Sequence, residues 1–281
     1  MSIPQSLLEQ AIQINIQHAL AEDIAEGDIT ALLTPENEQA NASILTREPM
    51  VLAGQPWVNA LIQNFDTSVQ ITWLKNDGDR VLANEVFLQL SGSARSLLTV
   101  ERAALNFIQT LSAVATKTAE YVKQLDGLKT QLLDTRKTLP GLRIAQKYAV
   151  AMGGGKNHRL GLFDAFLIKE NHIMAAGGIA QAVAQAHQIA PGKLVEVEVE
   201  SWDELNQALA AHADIVMLDN FSQQQMVDAV QHVAGRCKLE ASGNITIENL
   251  RQVASTGVDY ISMGVLTKDV QAIDLSMRFN A

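Results

Sequence analysis

The chain has 281 residues, 47% of them hydrophobic and 19% charged, and its 21 basic against 31 acidic side chains leave a formal net charge of −10. That composition excludes disordered and low-complexity architectures and supplies a core for two domains or for one large α/β barrel with an appendage. Its sign is wrong for a protein that coats nucleic acid or an anionic membrane. The single cysteine, Cys237, excludes an internal disulfide framework and any multi-cysteine metal centre, which fits a reducing, cytoplasmic setting. Residues 1–13 lack the basic start and apolar run of a signal peptide, and no stretch reaches the roughly 18 apolar residues of a membrane span.

Leu8, Ile12, Ile16 and Leu20 recur at helical spacing, and Ser6 with Glu9 forms a possible capping box, so the first element is expected to be a helix. From Asn41 to Leu90 the pattern turns to short strands, such as 69–74 and 86–90, around an Asn76-Asp77-Gly78-Asp79 turn; a small antiparallel sheet follows. Residues 97–125 are largely free of Gly and Pro and predict one long helix or two abutting ones, ended by Gly127. Beyond it, strand-like runs at 131–133, 165–168, 194–199, 215–218, 238–241 and 260–263 alternate with helical stretches. Such a βα repeat builds a parallel sheet, and six or more strands fit a closed or nearly closed barrel better than an open doubly wound sheet.

The polar residues gather where those strands end: Asp134, Arg136 and Lys137, then Lys169, Glu198 and Glu200, Asp219, Ser242 and Gly243, and Gly264. In a βα barrel these ends share one face, where the site lies. Residues 136–172 carry a net charge of +5 inside the acidic chain, which points to a compact, highly anionic substrate unless Arg143 and Lys147 simply face water. Gly153-Gly154-Gly155, ahead of Asn157-His158-Arg159, either lets the backbone approach an anion or is a flexible loop, and His158 could donate to such an anion. Glu196, Glu198 and Glu200 alternate along one strand face, pointing into the barrel or, in an edge strand, to water. Glu198 with Asp219 could hold Mg²⁺ through oxygen ligands and water, and no His/Cys cluster suggests zinc. Ser242-Gly243-Asn244 and Gly264, each ahead of a helix, suit a phosphate on backbone N–H groups or merely a tight turn.

Taken together, Glu101-Arg102 with Leu105-Asn106, Asp134-Thr135-Arg136-Lys137-Thr138, Gly153-Gly154-Gly155 with Asn157-His158-Arg159-Leu160-Gly161-Leu162, Ile168-Lys169-Glu170-Asn171-His172, Glu196-Val197-Glu198, Leu218-Asp219-Asn220, Ser242-Gly243-Asn244 and Ser262-Met263-Gly264 resemble the quinolinate phosphoribosyltransferase family, also called carboxylating nicotinate-nucleotide pyrophosphorylases. The resemblance runs from Gly27-Asp28-Ile29-Thr30 nearly to the C-terminus, and Asn244 stands where the family often has glycine. It implies transfer of phosphoribose from phosphoribosyl pyrophosphate to the ring nitrogen of quinolinate, with loss of pyrophosphate and CO₂, giving nicotinate mononucleotide for NAD synthesis with Mg²⁺.

By the same resemblance, Arg136, His158, Arg159 and Lys169 hold the two carboxylates of quinolinate, with Arg102 supplied by the neighbouring subunit of a homodimer that can assemble further. Lys137 serves the pyrophosphate; Glu198 and Asp219 bind the ribose hydroxyls and metal; Ser242, Gly243, Asn244 and Gly264 bind the 5′-phosphate. Lys137, Lys169, Glu198 and Asp219 are the expected catalytic set. The implied fold is α/β: an open-faced α+β sandwich over residues 1–112, a seven-stranded βα barrel over 113–270, and a C-terminal helix or tail, 271–281, that completes the sandwich. Two rival readings differ in chemistry. One is a related pyrophosphorylase with another acceptor, which the full set of acceptor-binding cations opposes; the other is a barrel aldolase forming a Schiff base on Lys169, which needs a desolvated lysine.

Overall fold

The computed structural model describes residues 2–280. In chain order its elements are α1 (Gln5–Asp23), β1 (Gln39–Thr46), β2 (Met50–Val51), α2 (Gln55–Phe65), β3 (Gln70–Trp73), β4 (Arg80–Val81), β5 (Val86–Ser93) and α3 (Ala94–Lys123). There follow β6 (Gln131–Leu133), α4 (Arg143–Met152), β7 (Phe166–Ile168), α5 (Glu170–Ala176), α6 (Ile179–Ile189), β8 (Val195–Val199), α7 (Trp202–Ala210) and β9 (Ile215–Asp219). The chain ends with α8 (Gln223–Val233), β10 (Lys238–Ser242), α9 (Ile247–Ala254), β11 (Tyr260–Ser262), α10 (Val265–Lys268) and β12 (Leu275–Phe279). Among the described residues, no helix is long and apolar enough to cross a membrane.

Two compact units divide these elements, one of residues 2–119, 138–154 and the chain from 266 on, the other of 120–137 and 155–265. In the first, an antiparallel sheet has the order β12-β1-β5-β3. Along β1, Ala42, Ile44 and Thr46 are buried and their neighbours are not, the period-two burial of a sheet with one packed face. Its interior also holds polar links: Trp57 Nε1 donates to Asn15 Oδ1 at 3.1 Å, and Asn15 Nδ2 donates to the Gly141 carbonyl at 3.0 Å. Asp77 accepts the Tyr148 hydroxyl at 2.6 Å and the Gly54 N–H at 3.1 Å, tying the expected 76–79 turn to the N-terminus of α2. Burial raises the Asp77 pKa, and those hydrogen bonds oppose the rise.

In the second unit six strands form a wholly parallel sheet, β6-β11-β10-β9-β8-β7, joined by helical crossovers. A single bridge, Leu133 with Lys156, lays a further extended segment beside β6. Val195, Val197 and Val199 of β8 are fully buried, and so is Glu196 nearly, as expected of a strand covered on both faces. The six strands coincide with the six apolar runs of the sequence within a residue or so. All their C-terminal ends point one way, which collects the polar residues that follow them.

Four details correct the sequence reading. Helix α1 starts at Gln5 with Pro4 as its cap; Ser6 and Glu9 form no capping box, because Glu9 instead accepts from Gln5 Nε2 at 2.8 Å. The C-terminal tail is a strand rather than a helix, since residues 275–279 pair antiparallel with the free edge of β1. The units are interleaved rather than contiguous, with 138–154 grouped with the N-terminal residues instead of the parallel sheet. Lys147, in that segment, is fully buried rather than solvent-facing.

The glycine triplet reads differently too. Gly153 ends α4, its N–H donating to the Ala149 carbonyl, and a Cβ there would lie 2.7 Å from Thr118 Cβ and against the Ala115 carbonyl of α3. Gly153 is a helix-packing glycine. Gly153→Ala is expected to destabilise the chain by about 1–3 kcal/mol through overpacking, read as a lower midpoint of denaturant unfolding.

Candidate active site

The C-terminal ends of the parallel strands bring together most of the candidate residues. After β6, Lys137 lies against Gly264, where a Cβ would come 3.0 Å from Lys137 Cδ; glycine after β11 thus leaves room for the lysine. After β7, Lys169 ion-pairs with Glu198 of β8. At the end of β9, Asp219 is in register with Ser242 of β10 and accepts from Asn220 Nδ2 at 2.9 Å. Asn244 Nδ2 donates to Asn220 Oδ1 at 3.0 Å, and a side chain at Gly243 would meet both Asn220 and, at 3.0 Å, Asp219. Gly243, at φ 91°, is followed by Asn244 at φ 51°; asparagine tolerates the left-handed region better than most residues, which accounts for its presence at a position suited to glycine.

Charge is mixed within this cluster. Burial raises the Asp219 carboxyl, the Glu198 charge raises it further, and Lys169 and Lys137 hold it down. Two carboxylates near enough to repel, flanked by two lysines, are a donor set for an oxygen-seeking dication and for phosphate oxygens together.

Arg136 and Arg159 stand beside it with less compensation. Burial lowers the Arg159 pKa and the like charge of Arg136 lowers it again, against Glu196 and Asp164. The Arg136 Nε is buried and makes no hydrogen bond among the described residues. Both arginines line an open cleft of about 650 Å³ together with Leu167, Ile168, His172 and Ala176. Two mutually repelling guanidinium groups, one with a buried Nε that makes no hydrogen bond among the described residues, suit an anion of more than one charge.

Behind Arg159 lies a buried cluster that the sequence did not reveal. Asp134, wholly buried, accepts from Asn157 Nδ2 at 2.6 Å and from the His158 N–H at 2.9 Å. The His158 Nε2 lies 2.9 Å from Glu196 and 3.4 Å from Glu240, both carboxylates nearly inaccessible. Its Nδ1 accepts the Arg159 N–H at 2.7 Å. Burial alone would lower the His158 pKa, but the two glutamates reverse this and push it up to about 10. A proton on both nitrogens, however, would face the Arg159 N–H, so the geometry favours the ring protonated at Nε2 alone. The three side chains also offer atoms that could ligate a metal, all within 4.8 Å of one another.

Arg102 is exposed on α3, in the antiparallel unit. Glu240 was missed outright, although its place two residues before Ser242 puts it on the same face of β10. Lysines, arginines and glycines at strand ends are legible because every strand repeats the arrangement; one acid in the middle of an apolar run is not.

A parallel sheet whose strand ends pair carboxylates with lysines beside two mutually repelling arginines has the chemistry of an enzyme that handles polyanionic substrates, the phosphoribosyltransferase class. The model of the quinolinate phosphoribosyl transferase C-terminal domain matches residues 114–278, that of the N-terminal domain residues 28–112, and the chain belongs to this family. It is 42% identical over 267 residues to a probable nicotinate-nucleotide pyrophosphorylase [carboxylating] of Bacillus subtilis, covering 93% of this chain and 91% of that one. With the nicotinate-nucleotide pyrophosphorylase [carboxylating] of Mycobacterium leprae it shares 40% over 277 residues, 95% of this chain and 96% of the relative. Among solved structures, the nicotinate-nucleotide pyrophosphorylase of Francisella tularensis superposes with a TM-score of 0.94 at 52% identity over 99% of this chain and 98% of that one.

Replacing Arg136 by leucine removes the repulsion and the orphaned Nε together. Arg136→Leu is therefore expected to hold or raise the unfolding free energy, by up to about 1 kcal/mol, while a soluble dicarboxylate no longer stabilises the protein against heat. Denaturant and thermal melts with and without the diacid check both halves.

Proposed function

We propose that the chain transfers the phosphoribosyl group of phosphoribosyl pyrophosphate to the ring nitrogen of quinolinate, releasing pyrophosphate and CO₂ and giving nicotinate mononucleotide for NAD synthesis. The observation that carries this is the Arg136–Arg159 pair: two half-buried, mutually repelling groups lining one cleft, with the Arg136 Nε buried and without a hydrogen bond among the described residues, as a pyridine with two adjacent carboxylates requires. Arg136, Arg159 and Lys169, with His158 behind them, receive the diacid. Ser242, Gly243, Asn244 and Gly264 receive the 5′-phosphate on backbone N–H groups, and Lys137 receives the pyrophosphate.

Breaking the bond at ribose C1 builds positive charge on the sugar and negative charge on the departing pyrophosphate. Glu198 and Asp219 face the first and Lys137 the second, so the cluster is complementary to the charge-separated state rather than to the neutral sugar. Glu198 and Asp219 would also hold Mg²⁺, their paired oxygens and mutual repulsion fitting a hard cation, which supplies charge neutralisation to the pyrophosphate oxygens. After transfer, the positively charged ring nitrogen stabilises the electron pair that departing CO₂ leaves on the adjacent carbon, which then takes up a proton, so no protein nucleophile is needed. The Schiff-base alternative loses ground here: Lys169 is 45% exposed and ion-paired, the opposite of a desolvated amine.

We take the parallel sheet to close, with the Lys156 segment as a seventh strand, into a barrel: Gln131, Phe166, Ile215 and Tyr260, the first residues of four strands, ring one cavity of about 150 Å³. The exposed apolar side chains Ile29, Leu32, Leu33, Leu162 and Phe163 favour self-association, in keeping with a homodimer in which Arg102 completes the neighbour's acceptor site. A cytoplasmic place suits these substrates.

Quinolinate is expected to be favoured over nicotinate by at least about a hundredfold in kcat/KM, because one carboxylate leaves a buried cation unpaired. Release of CO₂ and pyrophosphate in parallel assays measures this, and comparable turnover of the two acceptors would sink the assignment. Lys169→Ala is expected to abolish turnover with an unchanged thermal midpoint, and Glu198→Ala and Asp219→Ala to shift the Mg²⁺ dependence. For the shared site, Arg102→Ala and Lys169→Ala chains are mixed and allowed to exchange subunits. About half the dimers are then mixed, with one intact site each, and activity returns to roughly a quarter of wild type. Exchange verified by mass without recovery would place Arg102 within its own site or outside any.

A further inference from the structure

The residues from Asn157 to Arg159 belong to no strand, yet they carry one of the two arginines on which acceptor binding rests. In a strand, backbone hydrogen bonds to a neighbour would fix such a residue; here side chains do it. Asp134 takes the His158 N–H and the Asn157 amide, and the His158 ring takes the Arg159 N–H through Nδ1. Nδ1 can accept only while the ring's proton is on Nε2, and what lies at Nε2 is Glu196, with Glu240 behind it. The side chain of His158 is 11% exposed, so this ring is enclosed by its partners rather than by water.

We propose that Glu240, acting with Glu196, is a positioning residue for the acceptor site: the two carboxylates fix the tautomer and tilt of His158, and His158 in turn fixes the backbone from which Arg159 reaches the diacid. Support of this kind resembles the carboxylate that orients a metal-bound histidine, where the outer group is worth one to two orders of magnitude in affinity although it never touches the ligand. Glu240 also explains its own oddity. A buried carboxylate on a strand, with one oxygen 3.4 Å from His158 Nε2 and the other without a hydrogen bond among the described residues, is costly for stability alone, and an aliphatic side chain would pack the sheet better.

This inference rests on the reaction proposed above, so its test has one arm that does not. Full-length wild type, Glu240→Leu, Glu240→Gln and Glu240→Asp are compared by steady-state kinetics with quinolinate and phosphoribosyl pyrophosphate. Glu240→Leu is expected to raise the KM for quinolinate by about tenfold or more, with the KM for phosphoribosyl pyrophosphate within about twofold of wild type. Glu240→Gln, which keeps an acceptor oxygen, recovers most of that loss. Should the leucine variant fail to fold, Glu240→Asp, which draws the carboxylate back by one methylene, is expected to show the same split to a smaller degree. In the independent arm, ¹⁵N spectra of histidine-labelled protein, assigned with His158→Gln, show His158 as the Nε2–H tautomer in wild type and a mixture in Glu240→Leu or Glu240→Asp. The proposal is overturned if the folded variants move both KM values together or neither, or if the tautomer is unchanged. If wild type turns over no quinolinate, the assigned reaction fails by itself and the tautomer measurement alone decides the role of Glu240.

Discussion

Arg136 and Arg159 repel each other, and each is at least partly withdrawn from the water that would screen them. Left to itself such a couple would splay apart or turn outward, so the fold around it must supply the restraint. It does so from two directions. The end of β6 commits Arg136 to the cleft three residues after the strand's last pairing, and the buried Asp134, His158 and glutamate set commits Arg159. An anion of more than one charge bound between them would relieve that repulsion, which is a way of making affinity depend on the number of negative charges a ligand brings.

Negative charge is layered to match. Along β8 and just past its end, Glu196 is buried, Glu198 is half-covered and Glu200 is exposed, in order from the interior outward. The innermost serves His158, the middle one meets Lys169, and the outermost is solvated. A single alternating run in the sequence thus performs three different tasks, separated only by depth.

That depth marks the limit of what could be read without coordinates. Strand-end lysines, arginines and glycines were legible because a repeating βα pattern makes the same position recur, and the long motifs carried the family with them. The period of Glu196, Glu198 and Glu200 likewise showed their common face. Glu240 could not be recognised, because an isolated acid between Leu239 and Ala241 looks like a strand's wet side until its neighbours across the sheet are known. Gly153 misled for the opposite reason: three glycines beside Asn157 and Arg159 suggest an anion loop, while the need for glycine comes from α3, far away in sequence. Local cues also failed at the tail, where the choice between helix and strand is made by the open edge of β1 and not by residues 275–279 themselves.

The pairing of β12 with β1 has a consequence for how the chain is made. The strand that covers one edge of the first sheet emerges from the ribosome more than two hundred residues after the strand it covers. At ordinary synthesis rates that interval is about 10–50 s, much longer than secondary structure needs to form. Throughout it, the nascent chain presents β1 as an uncovered edge able to pair with any passing strand. The intervening parallel unit, whose pairing is internal to 120–265, can be complete by then. Nascent chains on neighbouring ribosomes would accordingly be at risk of exchanging this strand, and a chaperone that shields edges would matter most until β12 has emerged.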